Sequence, residues 1–462
     1  MIQLRPYQED AVAAIRRAFG ERRRRVLFVL PTGGGKTTIF SHITHSVAGR
    51  GKRVCVLVHR QELVDQVSGA LAAVGVAHGI IAGGRPETDE PVQVASVASL
   101  GRRLDRVQAF DLLVPDEAHH AVAGSWRAIL DAMPRAFVLG VTATPERLDG
   151  RGLGDAFDVM VQGPTVADLM AAGFLVPATV YAPAEPVDLS SIRTERGDYA
   201  PGALAEAMSS GSLVGNAVEH YGRLSKGVPA IAFCAGIEHS RMVASRFIAA
   251  GFRAAHVDGT TDRDERRAMI AALGSGGLDV LTNAGLISEG VDVPTVGAAI
   301  LLRPTQSLGL YLQQVGRALR TAPGKTRALI LDHAGNSLRH GLPDEVREWS
   351  LAAKPRRSRE PARAVGPRRC PECDAVNPTE ALVCEVCGAE LRRSAEEVRE
   401  IEARLIEAER VAIHARIRAM SYGEAIRWAD TEDKLRQVAK ARRYHHGWVH
   451  HQLAALADRA AA

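Results

Sequence analysis

Val26-Leu27-Phe28-Val29-Leu30 runs directly into Pro31-Thr32-Gly33-Gly34-Gly35-Lys36-Thr37, and Thr38-Ile39-Phe40-Ser41-His42-Ile43 follows. An apolar β-branched run, a glycine cluster and a helix-like segment read as strand, loop and helix. Glycine lets the backbone turn tightly and bring its N–H groups up to phosphate oxygens. The helix N-terminus behind the loop adds the positive end of its dipole. In that arrangement Thr32, Gly33, Gly34 and Gly35 cradle phosphate, Lys36 reaches the β- and γ-phosphates, and the Thr37 hydroxyl ligates Mg²⁺. The general pattern wants glycine five residues before Gly35. Leu30 stands there instead, so the loop is the Pro-Thr-Gly-x-Gly-Lys-Thr variant.

Outward from this loop, apolar runs alternate with helical segments. Strands are expected at Val54–Val58, Val92–Ser96, Leu112–Val114 and Phe137–Val141, with helices at Gln8–Phe19 and Gln61–Val74. A second alternating block gives strands at Ala230–Cys234, Ala254–Val257, Asp279–Leu281, Ala298–Leu302 and Ala328–Asp332. Its helices fall at Ile237–Ala250, Asp262–Leu273 and Ser307–Leu319. Strand–helix alternation with β-branched strands reads as a parallel sheet covered on both faces. Ligands of such sheets gather at the carboxyl ends of the strands.

The chemistry-bearing residues stand at those ends. Asp116-Glu117-Ala118-His119 follows Leu112-Leu113-Val114-Pro115. Two adjacent carboxylates at a strand end are costly unless they meet a cation. A nucleotide-bound Mg²⁺ supplies one: Asp116 holds the metal, and Glu117 orients and deprotonates the attacking water. Pro115 lacks a ladder N–H, so the strand is expected to stop before it. Thr142-Ala143-Thr144-Pro145 ends the next strand. In the second block, Gln313-Gln314-Val315-Gly316-Arg317-Ala318-Leu319-Arg320 places Arg317 and Arg320 three apart, on one face of a helix. Guanidinium forks match phosphate oxygens bidentately, so both arginines suit fingers reaching across a cleft. The amide of Gln8 suits the N6/N7 edge of adenine.

Taken in order, Leu4 to Arg320 resembles the superfamily 2 DEAD/DEAH-box helicases. Arg5 and Gln8 resemble the adenine-reading Q motif of that family, and Asp116 to His119 its Asp-Glu-Ala-His box. Thr282-Asn283-Ala284-Gly285 through Pro294 resembles its fifth motif and Gln313 to Arg320 its sixth. The run from Leu302 to Arg320, with Pro323-Gly324-Lys325 and Leu331-Asp332-His333-Ala334-Gly335-Asn336, is similar to RadD-type bacterial DNA repair helicases and related phage-type helicases. The resemblance implies two RecA-like P-loop NTPase domains with ATP and Mg²⁺ in the cleft. It assigns catalysis to Lys36, Asp116, Glu117, Gln313, Arg317 and Arg320. It adds Gly290 and Asp292 beside the nucleotide, and puts Arg60, Ser96 and Thr282 on the nucleic-acid backbone.

The chain has 462 residues, 46% hydrophobic and 24% charged, which suits a soluble protein of several domains. Net charge is +5, permitting a polyanionic partner. No apolar run of roughly 18 residues and no signal-peptide core are present, so no membrane partner is expected and a cytoplasmic, nucleoid-associated protein follows. Cys55 and Cys234 lie alone in apolar strands and read as buried hydrophobes. Cys370-Pro371-Glu372-Cys373 and Cys384-Glu385-Val386-Cys387 form two knuckles ten residues apart. Four thiolates give closed tetrahedral Zn²⁺, a structural rather than catalytic site; rubredoxin-like iron is the minor alternative. Between Lys354 and Arg369, seven basic residues stand against Glu360, with three prolines, and read as an extended linker. Beyond, Ser394-x-x-Glu397 opens one expected helix and a second runs from about Thr431 to Arg443. Tyr444 through His451 mixes aromatic and basic residues that suit single-stranded bases.

The sequence thus divides into residues 1–165, a first RecA-like domain, and 166–210, a connection. Residues 211–340 form a second RecA-like domain and 341–369 a basic linker. Residues 370–390 are a zinc module and 391–462 a helical tail. The function expected is an ATP-dependent DNA helicase or translocase acting in repair or recombination, on single-stranded or forked DNA. The tail offers a site for a repair-protein partner. An RNA helicase, or an ATP-controlled binding switch that does not unwind, is the alternative.

Overall fold

Strands that are apolar on both faces need cover on both faces, and a parallel sheet between two layers of helices provides it. The computed structural model contains two such sheets. It describes residues 3–121, 124–147, 149–183, 189, 192–195, 197–209, 211–285, 293–353, 366–391, 417–442, 444, 448–449 and 451–453. One structural unit holds both sheets and the four-cysteine segment; the second is the tail from Leu391 onward. No described helix is long and apolar enough to cross a membrane.

The first sheet has seven parallel strands: β1 (Arg25–Val29), β2 (Val54–Val58), β3 (Gly79–Ile81), β4 (Val92–Ser96), β5 (Leu112–Pro115), β6 (Phe137–Thr142) and β7 (Val159–Gln162). They lie in the order β3-β4-β2-β5-β6-β1-β7. Val29 stands opposite Thr142 and Val58 opposite Ser96. This register lines up the glycine loop, His59-Arg60, Ser96, Asp116 and Thr142 along one carboxyl edge. Contrary to expectation, β5 runs through Pro115, which pairs with Leu57. The ladder between β5 and β6 is recorded at Leu112 and Leu113 and again at Asp116, so the missing N–H of Pro115 falls in its gap.

The second sheet comprises β8 (Ala178–Tyr181), β11 (Ala230–Cys234), β12 (Ala254–Val257), β13 (Val280–Asn283), β14 (Ala298–Leu302), β15 (Ala328–Asp332), β16 (Arg368–Arg369) and β17 (Ala375–Asn377). Its order is β12-β13-β11-β14-β15-β8-β17-β16. A hairpin of β9 (Thr194–Glu195) and β10 (Asp198–Tyr199) stands apart from it. The segment read as a connection therefore supplies a strand, β8, which pairs parallel with β15. The four-cysteine segment supplies the next, since β17 pairs antiparallel with β8. Arg368 and Arg369 belong to strand β16 and not to a free basic linker, and Arg369 is paired with Asp374. Residues 341–353 are also no free linker: Leu351 O accepts from Leu153 N at 2.9 Å and Gly154 N at 3.0 Å.

Cys55 and Cys234 are buried in β2 and β11, where burial pushes both thiol pKa values up. In the tail unit, helices Tyr422–Trp428 and Glu432–Arg442 pack around Ile417, Ala425, Leu435 and Val438. The first is capped by Ser421 and Glu424, a capping box the sequence reading passed over. Tyr444 and Trp448, 4.7 Å apart, lie against that same core, and Arg442 donates to the carbonyls of Ile417 and Met420. All three side chains stay partly exposed. The expected Ser394 capping box lies outside the described residues.

Candidate active site

The glycine loop has the expected form. Gly33 and Gly35 both adopt φ 86°, a left-handed conformation that glycine takes without a Cβ penalty, and the helix Lys36–Ala48 begins directly after. Gln8 leans on the loop so closely that a Cβ at Gly35 would overlap its Nε2. The Gln8 Oε1 accepts from Arg5 N at 3.0 Å, and Tyr7 Oη donates to Gly34 O at 2.8 Å. The Arg5 guanidinium lies 4.7 Å from the centre of the Phe174 ring, and Tyr7 packs on Phe174 at 4.9 Å. Thr37 is half-buried in the first turn of the helix.

Lys36 Nζ donates to Leu30 O at 3.3 Å. Burial lowers its pKa; Glu117 and Asp116 push it back up, and Arg317 and Arg320 push it down. Two carboxylates and two guanidiniums from the two sheets thus converge on one ammonium. Glu117 is held at φ 51°, left-handed for a residue with a Cβ, and its N–H bonds Asp116 Oδ1 at 3.0 Å. Such backbone strain in a non-glycine residue is concentrated at functional sites. His119 Nδ1 lies 3.5 Å from Glu117 Oε2 and 3.1 Å from Thr142 Oγ1. Thr142 Oγ1 in turn donates to Thr144 O at 3.0 Å. The acidic strand end and the Thr-Ala-Thr-Pro turn are therefore one hydrogen-bonded assembly, with His119 as the joint.

Across the cleft, the helix expected to span Ser307–Leu319 ends at Gly316. Arg317 and Arg320 are consequently not on one helical face. Arg317 caps the helix, and Arg320 enters through an antiparallel bridge to Leu175. The halves approach closely along this helix: a Cβ at Gly316 would lie 2.6 Å from Thr32 Cβ, and one at Gly309 2.7 Å from Thr144 Oγ1. Gln313 and Arg317 are 5% and 8% exposed, and burial brings the Arg320 pKa down to about 10. Asp198 of the β9–β10 hairpin accepts from Thr305 Oγ1 and Gln306 N, both at 2.8 Å, and so fixes the loop leading into this helix.

The expected nucleic-acid contacts fare differently. Thr282 is 0% exposed, and its hydroxyl is engaged with Ser240 at 2.9 Å, so it does not meet a strand directly. Ser96 accepts from Ser99 N at 3.2 Å and caps the helix Val97–Gly101. Arg60 donates to Gly285 O at 2.9 Å, a contact between the halves, and Asp65, paired with Arg85 of its own half at 2.7 Å, also reaches Arg263 of the other at 2.7 Å. Gly290 and Asp292 lie outside the described residues. Tyr7, Phe174, Leu175 and His119 received no role from the sequence. Only His119, inside the acidic box, carried a signal.

The ligand sulfurs of Cys370, Cys373, Cys384 and Cys387 all lie within 4.8 Å of one another. The Cys370–Cys387 and Cys373–Cys384 sulfurs are 3.6 and 3.7 Å apart. That is far from a disulfide's roughly 2 Å, and near the roughly 3.8 Å edge of a tetrahedron with Zn–S bonds of about 2.3 Å. Burial opposes ionisation of Cys384, but the amides of Cys387 and Val386 and the side chain of Asn377 outweigh it and bring its pKa down to about 6. The donor set fits a structural Zn²⁺.

Residues 1–147 match the family described as "Type III restriction enzyme, res subunit", and residues 214–322 match "Helicase conserved C-terminal domain". The chain is 34% identical to a 51.5 kDa protein of Lactococcus phage (isolate 7-9), over 83% of this chain and 82% of that one. It is 30% identical to the putative ATP-dependent helicase IRC3 of Saccharomyces cerevisiae, over 68% of this chain and 49% of the other. The chain belongs to the superfamily 2 helicases. It spans about half the length of that yeast relative. Among solved structures, a fragment of a putative HsdR subunit of a type I restriction enzyme from Vibrio vulnificus YJ016 shares the fold. The TM-score is 0.59 at 22% identity, over 73% of this chain and 65% of that one. As a superfamily 2 helicase the chain is of a family of ATP-dependent helicases and translocases, built here on one parallel sheet and one that is parallel but for its last two strands.

Proposed function

We propose that this helicase hydrolyses ATP when bound to DNA and uses the cycle of its cleft to move along or unwind DNA in repair or recombination. The observation that carries the reading is the convergence of Asp116, Glu117, Arg317 and Arg320 on Lys36. Lys36 binds the β- and γ-phosphates, and the amides of Gly33, Gly34 and Gly35 hold their oxygens. Glu117, aimed by its strained backbone, accepts the proton of the attacking water. Arg317 and Arg320 neutralise charge on the phosphoryl group in flight, and Gln313 orients the water from the same side. Arg5 and Gln8 hold the base. Thr37 and Asp116 would hold Mg²⁺, which would offset the negative charge of the phosphates. His119 and Thr142 transmit loss of phosphate charge to Thr144, and through Gly309 to the other half.

DNA as the partner is supported by the match to a restriction-enzyme family and by the likeness of Leu302–Arg320 to RadD-type repair helicases. Arg60, whose guanidinium meets the Gly285 carbonyl across the cleft, contributes a cation to the DNA backbone. Zn²⁺ on the four cysteines has a structural role, and the protein works in the cytoplasm, at the nucleoid. The test is steady-state ATPase activity without nucleic acid and with single-stranded DNA, duplex DNA or RNA, using Glu117→Gln as the blank. Stimulation by DNA alone supports the reading. Equal stimulation by RNA replaces it with an RNA helicase, and turnover indifferent to all of them leaves an ATP-controlled switch.

A further inference from the structure

Residues 341–353 were expected to lead away from the second sheet, yet they return to the first. On the second-sheet side, the segment follows the helix Asn336–His340, and Leu342 packs against the second sheet's core. Arg347 then folds the chain back by donating to the His340 carbonyl at 3.2 Å and, within the segment itself, to those of Leu342 at 2.7 Å, Pro343 at 3.2 Å and Glu345 at 2.8 Å. Its guanidinium also feels Glu146, the residue directly after Thr142-Ala143-Thr144-Pro145. Two residues later Trp349 packs, with Leu351, against the first sheet's cluster of Leu27, Val29, Leu153 and Phe157. Leu351 O takes the N–H groups of both Leu153 and Gly154. The fit depends on Gly152: a Cβ there would overlap Leu351 O and lie 2.5 Å from Ala353 N. Between the two anchors lies a cavity lined by Pro31 and Thr32 of the glycine loop, Leu312 and Gly316 of the opposing helix, and Arg347 and Trp349.

From these contacts we infer that residues 341–353 are a strap that limits how far the cleft opens. Leu342 on the second sheet's core and Trp349 with Leu351 on the first's are its two anchors, and the turn held by Arg347 takes up the chain between them. Wider opening of the cleft must break either the hydrogen bonds of Arg347 or the packing of Trp349 and Leu351. The strap therefore biases the free protein toward the closed arrangement in which Thr32 meets Gly316. It acts on how often the cleft is competent to hold nucleotide, not on the chemistry inside it. This rests on the reading of the cleft as an ATPase site.

The experiment uses the full chain with Gly152→Val, which pushes the strap off, and Leu351→Asp, which removes its apolar anchor; Trp349→Ala serves if either fails to fold. Steady-state kinetics at saturating DNA are paired with the radius of gyration from small-angle scattering, without nucleotide and with a non-hydrolysable ATP analogue. The expected result is a KM for ATP raised about tenfold as the closed fraction falls to about a tenth, with kcat within about twofold. The radius of gyration should rise in the free protein and return toward the parent's with the analogue. Folded variants with parental KM and parental radius overturn the strap, as does a fall in kcat with KM unchanged. A parent without ATP turnover under any condition sinks the ATPase reading instead, and the scattering comparison then decides the strap alone.

Discussion

The two sheets are built by different routes. The first is one continuous run of chain, from Arg25 to Gln162, with every described strand pair parallel. The second takes β8 from before its main block and β17 and β16 from after it, and those late strands pair antiparallel. The first brings the lysine and the carboxylates, whose placement depends on local strand ends. The second brings the arginines, whose placement depends on contacts made far away in sequence. A contiguous half should therefore be robust where the assembled half is sensitive.

The largest effect should separate chemistry from folding. Arg317→Ala is expected to lower kcat by about 10³–10⁵, and Glu117→Gln by about 10²–10⁴. Thermal unfolding should shift little, and a normal turnover rate in Arg317→Ala would remove its assigned role. Next in size is the metal. Stripping it with a chelator, or Cys384→Ser, should cost the second half on the order of 4 kcal/mol or more. A thermal midpoint lower by about 10 °C would accompany that loss. Hydrogen exchange should rise at Ala178–Tyr181 while β1 to β6 stay protected. Equal loss in both sheets would erase the contrast.

Acid should also act first on the second half. His239 and His333 are buried, and burial lowers their pKa values to about 4 and about 3. The unfolded chain, with ordinary histidines near 6.5, binds more protons below that pH than the folded one. Stability contributed by the neutral rings is thus whole above about pH 6.5. It falls by up to about 1.4 kcal/mol per pH unit per histidine as pH drops toward the folded values. Urea midpoints read at pH 7 and pH 5 by probes in each half check this, and a first half that fails earlier would refute it. The smallest effect is Thr282→Val. Losing one buried hydroxyl pair should cost about 1 kcal/mol, with DNA affinity at fixed salt unchanged. A DNA affinity severalfold weaker in a stably folded Thr282→Val would restore the direct contact.

The same contrast governs what the sequence disclosed. Strands β2, β4, β11, β12, β14 and β15 match their expected bounds: β2, β11 and β14 are uninterrupted apolar runs, and the other three are apolar but for Gln93 and Ser96, His256 and Asp332. Strand β8 is mostly half-buried and only four residues long, so it was read as part of the connection, and β7, half-buried likewise, was not listed among the expected strands. The helical spacing of Arg317 and Arg320 misled because tertiary contact won. Gly316 must meet Thr32, and Arg320 pairs with Leu175, a residue no local pattern singles out. Lys36, Asp116 and Glu117 were legible because residue type, order and strand end coincide. Tyr7 and Phe174 were not, since their roles consist of touching each other. Thr282 shows the converse error, a motif residue assumed to face outward that its strand turns inward.

The position of β8 has a consequence for the newborn chain. The strand is Ala178–Tyr181, but its two neighbours are Ala328–Asp332 and Ala375–Asn377. At about 5–20 residues per second, roughly 10–40 s separate its synthesis from that of its last partner. Through that interval the first sheet can be finished while β8 still has at least one bare edge. The second sheet is closed only when Cys370 and Cys384 arrive with β17 between them, so with the proposed Zn²⁺ on those cysteines the last step in making the arginine half is a metal-binding event.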